Sequence, residues 1–154
     1  MNLLDVFVPW NRTKSIMCPR LKMLSELASS TVVICYVYPA FMYLMTGRAA
    51  HLKVLMGVLL VTVVTSVLKL QVAEPRPETS ECSLSEEKYG FPSGHVGAVT
   101  TFAVLYRMNW LLSAVWILLV GWSRVAKNCH TTRQVAGGFV TGPATGLGWS
   151  LYSK

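Results

Sequence analysis

The sequence predicts an all-α integral-membrane helical bundle, and three observations predict it: the composition, the segregation of charge, and the length of the uncharged runs. Of the 154 residues, 53% are hydrophobic and 14% charged, and the mean hydropathy is +0.45. A soluble domain carries about 25% charged residues. Glu26 and Arg48 bracket 21 uncharged residues, Lys53 and Lys69 bracket 15, and Lys88 and Arg107 bracket 17 besides His95. Arg107 and Arg124 bracket 16, and Arg133 and Lys154 bracket 20. A spanning helix needs about 20 apolar residues, within a range of about 17–25. The first and last runs meet that length alone. The middle runs borrow their flanking Lys and Arg, whose stems reach back to the headgroups. About five transmembrane helices follow, near 27–46, 52–70, 94–107, 109–125 and 132–151, in one domain over 1–154.

Ahead of the first span, residues 1–26 mix Leu3, Leu4, Phe7, Trp10, Ile16 and Leu21 with Arg12, Lys14, Arg20 and Lys22. That mixture predicts an interfacial segment lying on the membrane surface. The opening MNLLDVFVPW lacks a basic region followed by an apolar run and a small-residue cleavage site, so it does not read as a cleavable signal peptide.

Between the second and third spans, residues 71–91 form the longest polar stretch and hold five of the seven acidic residues. Pro75 and Pro77 end the second helix, because proline cannot continue the hydrogen-bond ladder. A loop of this length is a candidate functional lid. Ser93, preceded by Pro92, is placed to cap the third helix. The short turn at 106–109 makes the third and fourth helices antiparallel neighbours. Gly138, Gly142 and Gly146 recur every four residues in the last helix, a spacing that lets another helix pack closely.

The net charge of +7 does not point to nucleic acid. The basic residues sit at the ends of spans and form no stripe, so the bilayer headgroups are their natural partner. The four cysteines show no zinc spacing; Cys35 lies mid-span as a packing residue. Cys82 and Cys129 fall on one face, where an oxidising compartment permits a disulfide.

Counting alternations brings the N-terminus, the 71–91 loop and the 123–133 loop to one face. Lys69, Arg76, His95, Arg124 and His130 reach that face from four helix ends. Taken singly, each has an ordinary explanation: a snorkelling lysine, a loop or end-of-span arginine, a structural histidine. Taken together, they are what a phosphoryl group needs. Arg76 and Arg124 offer planar forks and Lys69 a point charge for the phosphate oxygens. Backbone N–H groups at Ser93, Gly94 and His95 open a helix, and Gly94 admits close approach. Of the two imidazoles, one can attack phosphorus and the other protonate the leaving oxygen. His51 has no such company and reads as a loop histidine between the first two spans.

These residues resemble the type 2 phosphatidic acid phosphatase superfamily. Its signature has three blocks: Lys, six residues, Arg-Pro; then Pro-Ser-Gly-His; then Ser-Arg, five residues, His, three residues, Asp. Here the blocks are Lys69 with Arg76-Pro77, then Pro92-Ser93-Gly94-His95, then Ser123-Arg124 with His130, so that 69–134 carries all three. The resemblance implies a helical bundle, no metal or other cofactor, and a phosphohistidine intermediate. It implies His130 as nucleophile, His95 as the acid for the leaving group, and Lys69, Arg76, Ser93, Gly94 and Arg124 as phosphate ligands. The sequence departs from the lipid branch of that family in having five spans instead of six. It departs again at the block-three Asp, which is Gln134 here. A Gln oxygen can orient the histidine but brings no full charge. Gln at this place also occurs in dolichyl diphosphatase and glucose-6-phosphatase, which the stretch HTTRQVAGG at 130–138 resembles. An Asp at 134 is therefore expected to retain or raise activity.

The expected function is an integral-membrane phosphatase acting on a lipid phosphate or diphosphate, either polyprenyl diphosphate or a phosphatidic-acid-like lipid. The alternatives are a sugar-phosphate phosphatase of the glucose-6-phosphatase kind and a phospholipid-binding scaffold with a decayed site. The same signature occurs in vanadium haloperoxidases, but those are large soluble proteins.

Overall fold

The computed structural model describes residues 19–77 and 88–154. Among the described residues six α-helices follow in order: α1 (Pro19–Ser30), α2 (Ile34–Thr46), α3 (Ala49–Val72), α4 (Gly94–Leu105), α5 (Trp110–Ala126) and α6 (Thr132–Tyr152). A 3-10 turn, Thr31–Val33, joins α1 to α2, so that Pro19–Thr46 runs on as one rod of 28 residues. The helix thus begins ahead of the span expected from residue 27. Charges at Arg20, Lys22 and Glu26 interrupt an apolar run, but they do not interrupt a helix. Ser25 and Ser29 are buried on the inner face of α1, and α1 packs against α5. Residues 19–26, expected in the surface segment, are therefore the first turns of this rod; residues 1–18 lie outside the described residues.

Local chemistry sets the other boundaries. Gly47 takes the left-handed conformation (φ 65°) and its N–H closes on Tyr43 O at 2.8 Å, which ends α2. Two residues before Pro75, Ala73 (φ 50°) ends α3 in the same way, with its N–H on Lys69 O. Asn109 caps α5 by accepting from the N–H groups of Leu111 and Leu112.

The core is built around α4. Eight consecutive residues of it, Val96 to Ala103, are buried, and α3, α5 and α6 surround it. At about 18 Å, α4 is too short to cross a hydrocarbon layer of about 30 Å. Its middle is enclosed by protein, so its backbone need not span a lipid layer. The Gly138–Gly142–Gly146 stripe lies against it. A Cβ on Gly138 would meet Ser93 O at 2.7 Å, and one on Gly142 would meet Gly97 O at 2.7 Å. Thr101 Oγ1 donates across this contact to Gly142 O at 2.9 Å.

Outside, the bundle is apolar. Leu44, Leu70, Leu118, Val140 and Leu151 are all exposed, several by about seven-tenths. A water-soluble protein seldom shows so continuous an apolar surface. Pro19–Thr46 and Ala49–Val72 are long and apolar enough to cross a membrane, while α4 and α5 are shorter apolar helices.

Candidate active site

The site lies at the end of the bundle where α3 stops and α4 and α6 begin. The polar loop between α3 and α4 is pinned at both of its described ends. Pro75 and Tyr89 form an antiparallel bridge, Gly90 N donates to Glu74 O at 2.8 Å, and Arg76 N donates to Lys88 O at 3.3 Å. This staple fixes Arg76. Its Nε donates to Tyr89 O at 3.3 Å and one terminal nitrogen to Cys129 O at 3.5 Å. The first block is thereby tied to the third.

Arg124 is buried in the last turn of α5, and a terminal nitrogen donates to Ser29 Oγ at 2.7 Å. Beside it, Lys127 pairs with Glu26 at 2.7 Å. Helix α1 thus braces the third block from outside, a role that sequence reasoning missed because Ser29 sits in an otherwise apolar run. After α5 the chain turns tightly, with the N–H groups of Cys129 and His130 both closing on Arg124 O at 3.0 and 3.2 Å. That turn buries His130. Cys129 is disulfide-bonded; Cys82, the partner considered from sequence, lies outside the described residues.

Ser93 occupies the N-cap of α4, but its hydroxyl makes no cap hydrogen bond and has no partner among the described residues. The first-turn N–H groups of a helix have no partner within it. Gly94 follows, with Thr65 Oγ1 at 3.5 Å from where a Cβ would stand. His95 is half-buried in the first turn, within electrostatic reach of Arg124, Lys69, Lys127 and Arg76. Ser93 N donates to Gln134 O at 2.9 Å, which locks the second block to the third.

Gln134 is the most constrained side chain of the group. It is fully buried, and its amide is completely used. Oε1 accepts from Thr131 N at 3.1 Å and from His130 Nδ1 at 3.3 Å. Nε2 donates to Pro75 O at 2.8 Å and to Glu74 Oε1 at 3.1 Å. With Thr131 Oγ1 accepting from Gln134 N, it also completes a capping box at the start of α6. The pattern Thr-x-x-Gln signals that cap in sequence. A Cβ on Gly90 would fall 2.3 Å from Gln134 Oε1, so only glycine leaves room there.

An amide oxygen cannot donate, so His130 must carry its proton on Nδ1, which leaves the Nε2 lone pair bare. Outside the helices, burial pushes the His130 pKa down to about 3; Arg124, Arg76 and Lys69 push the same way, and the Gln134 hydrogen bond opposes them. The imidazole is therefore neutral at physiological pH and surrounded by three cations. The five residues expected at one face, Lys69, Arg76, His95, Arg124 and His130, do converge there. His51 does not join them; it lies in the first turn of α3, not in a loop, and bonds Tyr106.

The fold and the residue set at its end have counterparts among known proteins. The fold is similar to a crystal structure described as the first transmembrane PAP2 type phosphatidylglycerolphosphate phosphatase, from Bacillus subtilis, with a TM-score of 0.72. Identity to that protein is 24%, and the match covers 90% of this chain and 79% of that one. Residues 50–154 match the model of the PAP2 superfamily, and the chain belongs to that superfamily.

Proposed function

We propose that the protein is a multi-pass membrane phosphatase that hydrolyses a lipid phosphate or diphosphate, polyprenyl or phosphatidic-acid-like, through a phosphohistidine. One observation carries this: a buried, neutral His130, its Nδ1 held by Gln134, faces the combined field of Lys69, Arg76 and Arg124. The cations, Ser93 and the N–H groups at Gly94 hold the phosphate oxygens. His130 Nε2 forms a bond to phosphorus as the bond to the leaving oxygen breaks. His95 gives its proton to that oxygen. A phosphate held among the same cations supports the protonated form of His95. Water then attacks the phosphohistidine and passes a proton back to His95, which releases phosphate and restores the His130 lone pair. With three cations neutralising the phosphate, the chemistry asks for no metal.

Two features support a lipid over a soluble sugar phosphate. The bundle exterior is apolar, and an apolar groove of about 410 Å³ runs between α1 and α5, lined by Leu24, Leu27, Ala28, Thr31, Leu119 and Trp122. Ala28 adjoins the serine that holds Arg124, so a lipid tail in this groove would keep its phosphate near the cations.

The test is phosphate release by purified protein from polyprenyl diphosphate, phosphatidate, lysophosphatidate and glucose 6-phosphate, with EDTA present. Turnover of a lipid phosphate that survives EDTA and is inhibited by vanadate is the expected result. Activity that needs added magnesium, or a preference for glucose 6-phosphate, would count against it.

A further inference from the structure

A nucleophilic histidine becomes positively charged as it bonds phosphorus, and the uncharged amide of Gln134 cannot balance that charge by itself. The structure brings a carboxylate one hydrogen bond further out. Glu74, two residues before Arg76, accepts from Gln134 Nε2 through Oε1 at 3.1 Å. The amide cannot be turned over. Reversal would set its NH2 against the Thr131 N–H, and its oxygen against the Pro75 carbonyl and the Glu74 carboxylate. Glu74 is itself held in place, since its backbone O accepts from Gly90 N at 2.8 Å. Its Oε2 makes no hydrogen bond among the described residues but faces Arg133 Nε at 3.5 Å. The Arg133 side chain is 78% exposed and that of Glu74 only 19%. Water therefore screens the arginine more than the carboxylate.

We propose that Glu74 is a positioning residue for phosphoryl transfer: acting through the Gln134 amide, it orients His130 and supplies the anion that the family signature places directly on the histidine. A carboxylate accepting from Nε2 polarises the amide and makes Oε1 a stronger acceptor for the His130 Nδ1–H. The chain His130–Gln134–Glu74 thus replaces a single His–Asp contact. It also alters the expectation for Gln134→Asp. In this structure a carboxylate at 134 faces Glu74 and the Pro75 carbonyl, and it loses both hydrogen bonds that Nε2 makes.

The proposal rests on His130 being the nucleophile, so His130→Ala is measured alongside with the lipid phosphate that the parent turns over. Glu74→Gln keeps an acceptor for Gln134 and removes only the charge; kcat falls about tenfold with KM within about twofold. Gln134→Asp alone is slower than the parent. The double variant Glu74→Gln/Gln134→Asp moves the charge onto the His130 contact and relieves the repulsion, so it is faster than either single variant. Arg133→Gln, a change at an exposed side chain, gives a readout that does not depend on the buried network tolerating substitution: kcat rises about twofold while Glu74 is present and not in its absence. Parent-like kcat in Glu74→Gln, independent effects of the two substitutions in the double variant, or no response to Arg133→Gln would reduce Glu74 to a structural brace. Turnover by His130→Ala would instead overturn the nucleophile assignment.

Discussion

His130 and His51 stand at opposite ends of the bundle, and each presents Nδ1 to one side-chain oxygen. His51 lies 2.8 Å from the Tyr106 hydroxyl. The Tyr106 ring packs on Tyr38 and Phe102, and Phe102 meets Trp116 edge-on. The helix ends there are joined directly, with Trp149 Nε1 donating to Lys53 O at 2.7 Å and Lys53 Nζ to Ser153 O. At the His130 end, Arg124 joins α5 to Ser29 of α1, and loop segments add Arg76, Ser93 and the turn after Arg124. An imidazole among aromatic rings is a packing group with one polar bond to satisfy. The same ring among three cations, with its tautomer set, is the nucleophile proposed above. The difference lies in what the connections bring.

The largest effect should separate these two histidines. His130→Ala is expected to abolish phosphate release and any acid-labile labelled intermediate, while His51→Ala leaves kcat within about twofold and costs about 1 kcal/mol of stability. Turnover is read by phosphate release, stability by thermal unfolding. Similar losses of turnover from both variants would end the distinction.

A smaller effect concerns the packing that holds the catalytic end together. A Cβ at Gly142 would meet backbone, Gly97 O at 2.7 Å, whereas nothing lies within 4 Å of one at Gly148. Gly142→Val should part α4 from α6, lowering stability by about 1–3 kcal/mol and lowering activity with it. Gly148→Ala should be neutral or stabilising by up to about 1 kcal/mol. Thermal unfolding in detergent checks both.

The last effect leaves activity untouched and concerns protonation alone. An ordinary histidine titrates near 6.5 and is mostly cationic at pH 5. With its pKa near 3, His130 stays neutral there and gains its proton only as the pH falls further. Nitrogen NMR of labelled protein should show His130 as the neutral Nδ1–H form at pH 5, and an imidazolium signal would contradict it. Placing a carboxylate next to the ring should raise that pKa, so in Glu74→Gln/Gln134→Asp protonation should begin at higher pH.

Much of this was legible in the chain because apolar length and helix-ending residues act locally. The last helix, expected at 132–151, spans Thr132–Tyr152, and the second, expected at 52–70, spans Ala49–Val72. The glycine stripe was read as a packing face and packs on α4. The start of the first helix was not legible, because counting uncharged residues measures what fits in lipid and not where a helix begins. The contacts that bear on the outcome of Gln134→Asp were not legible either, for a related reason. The nitrogen side of that amide is occupied by Glu74 and Pro75, and spacing within a motif says nothing of a neighbour 60 residues away.

The sequence alone determined the class of fold, the helix succession and the identity of the charged residues at one end. Each depends on composition within a window of the chain, and alternation across a bilayer sorts the ends into two faces. Only the tertiary structure decided which partner each residue meets: Ser29 on Arg124, the stapled loop behind Arg76, and Glu74 behind Gln134 behind His130. Those contacts join α1 to α5 and the α3–α4 loop to the start of α6. Such pairings are set by how helices pack and where their ends close, because a hydrogen bond is satisfied by whatever lies about 3 Å away in space, whatever the distance along the chain.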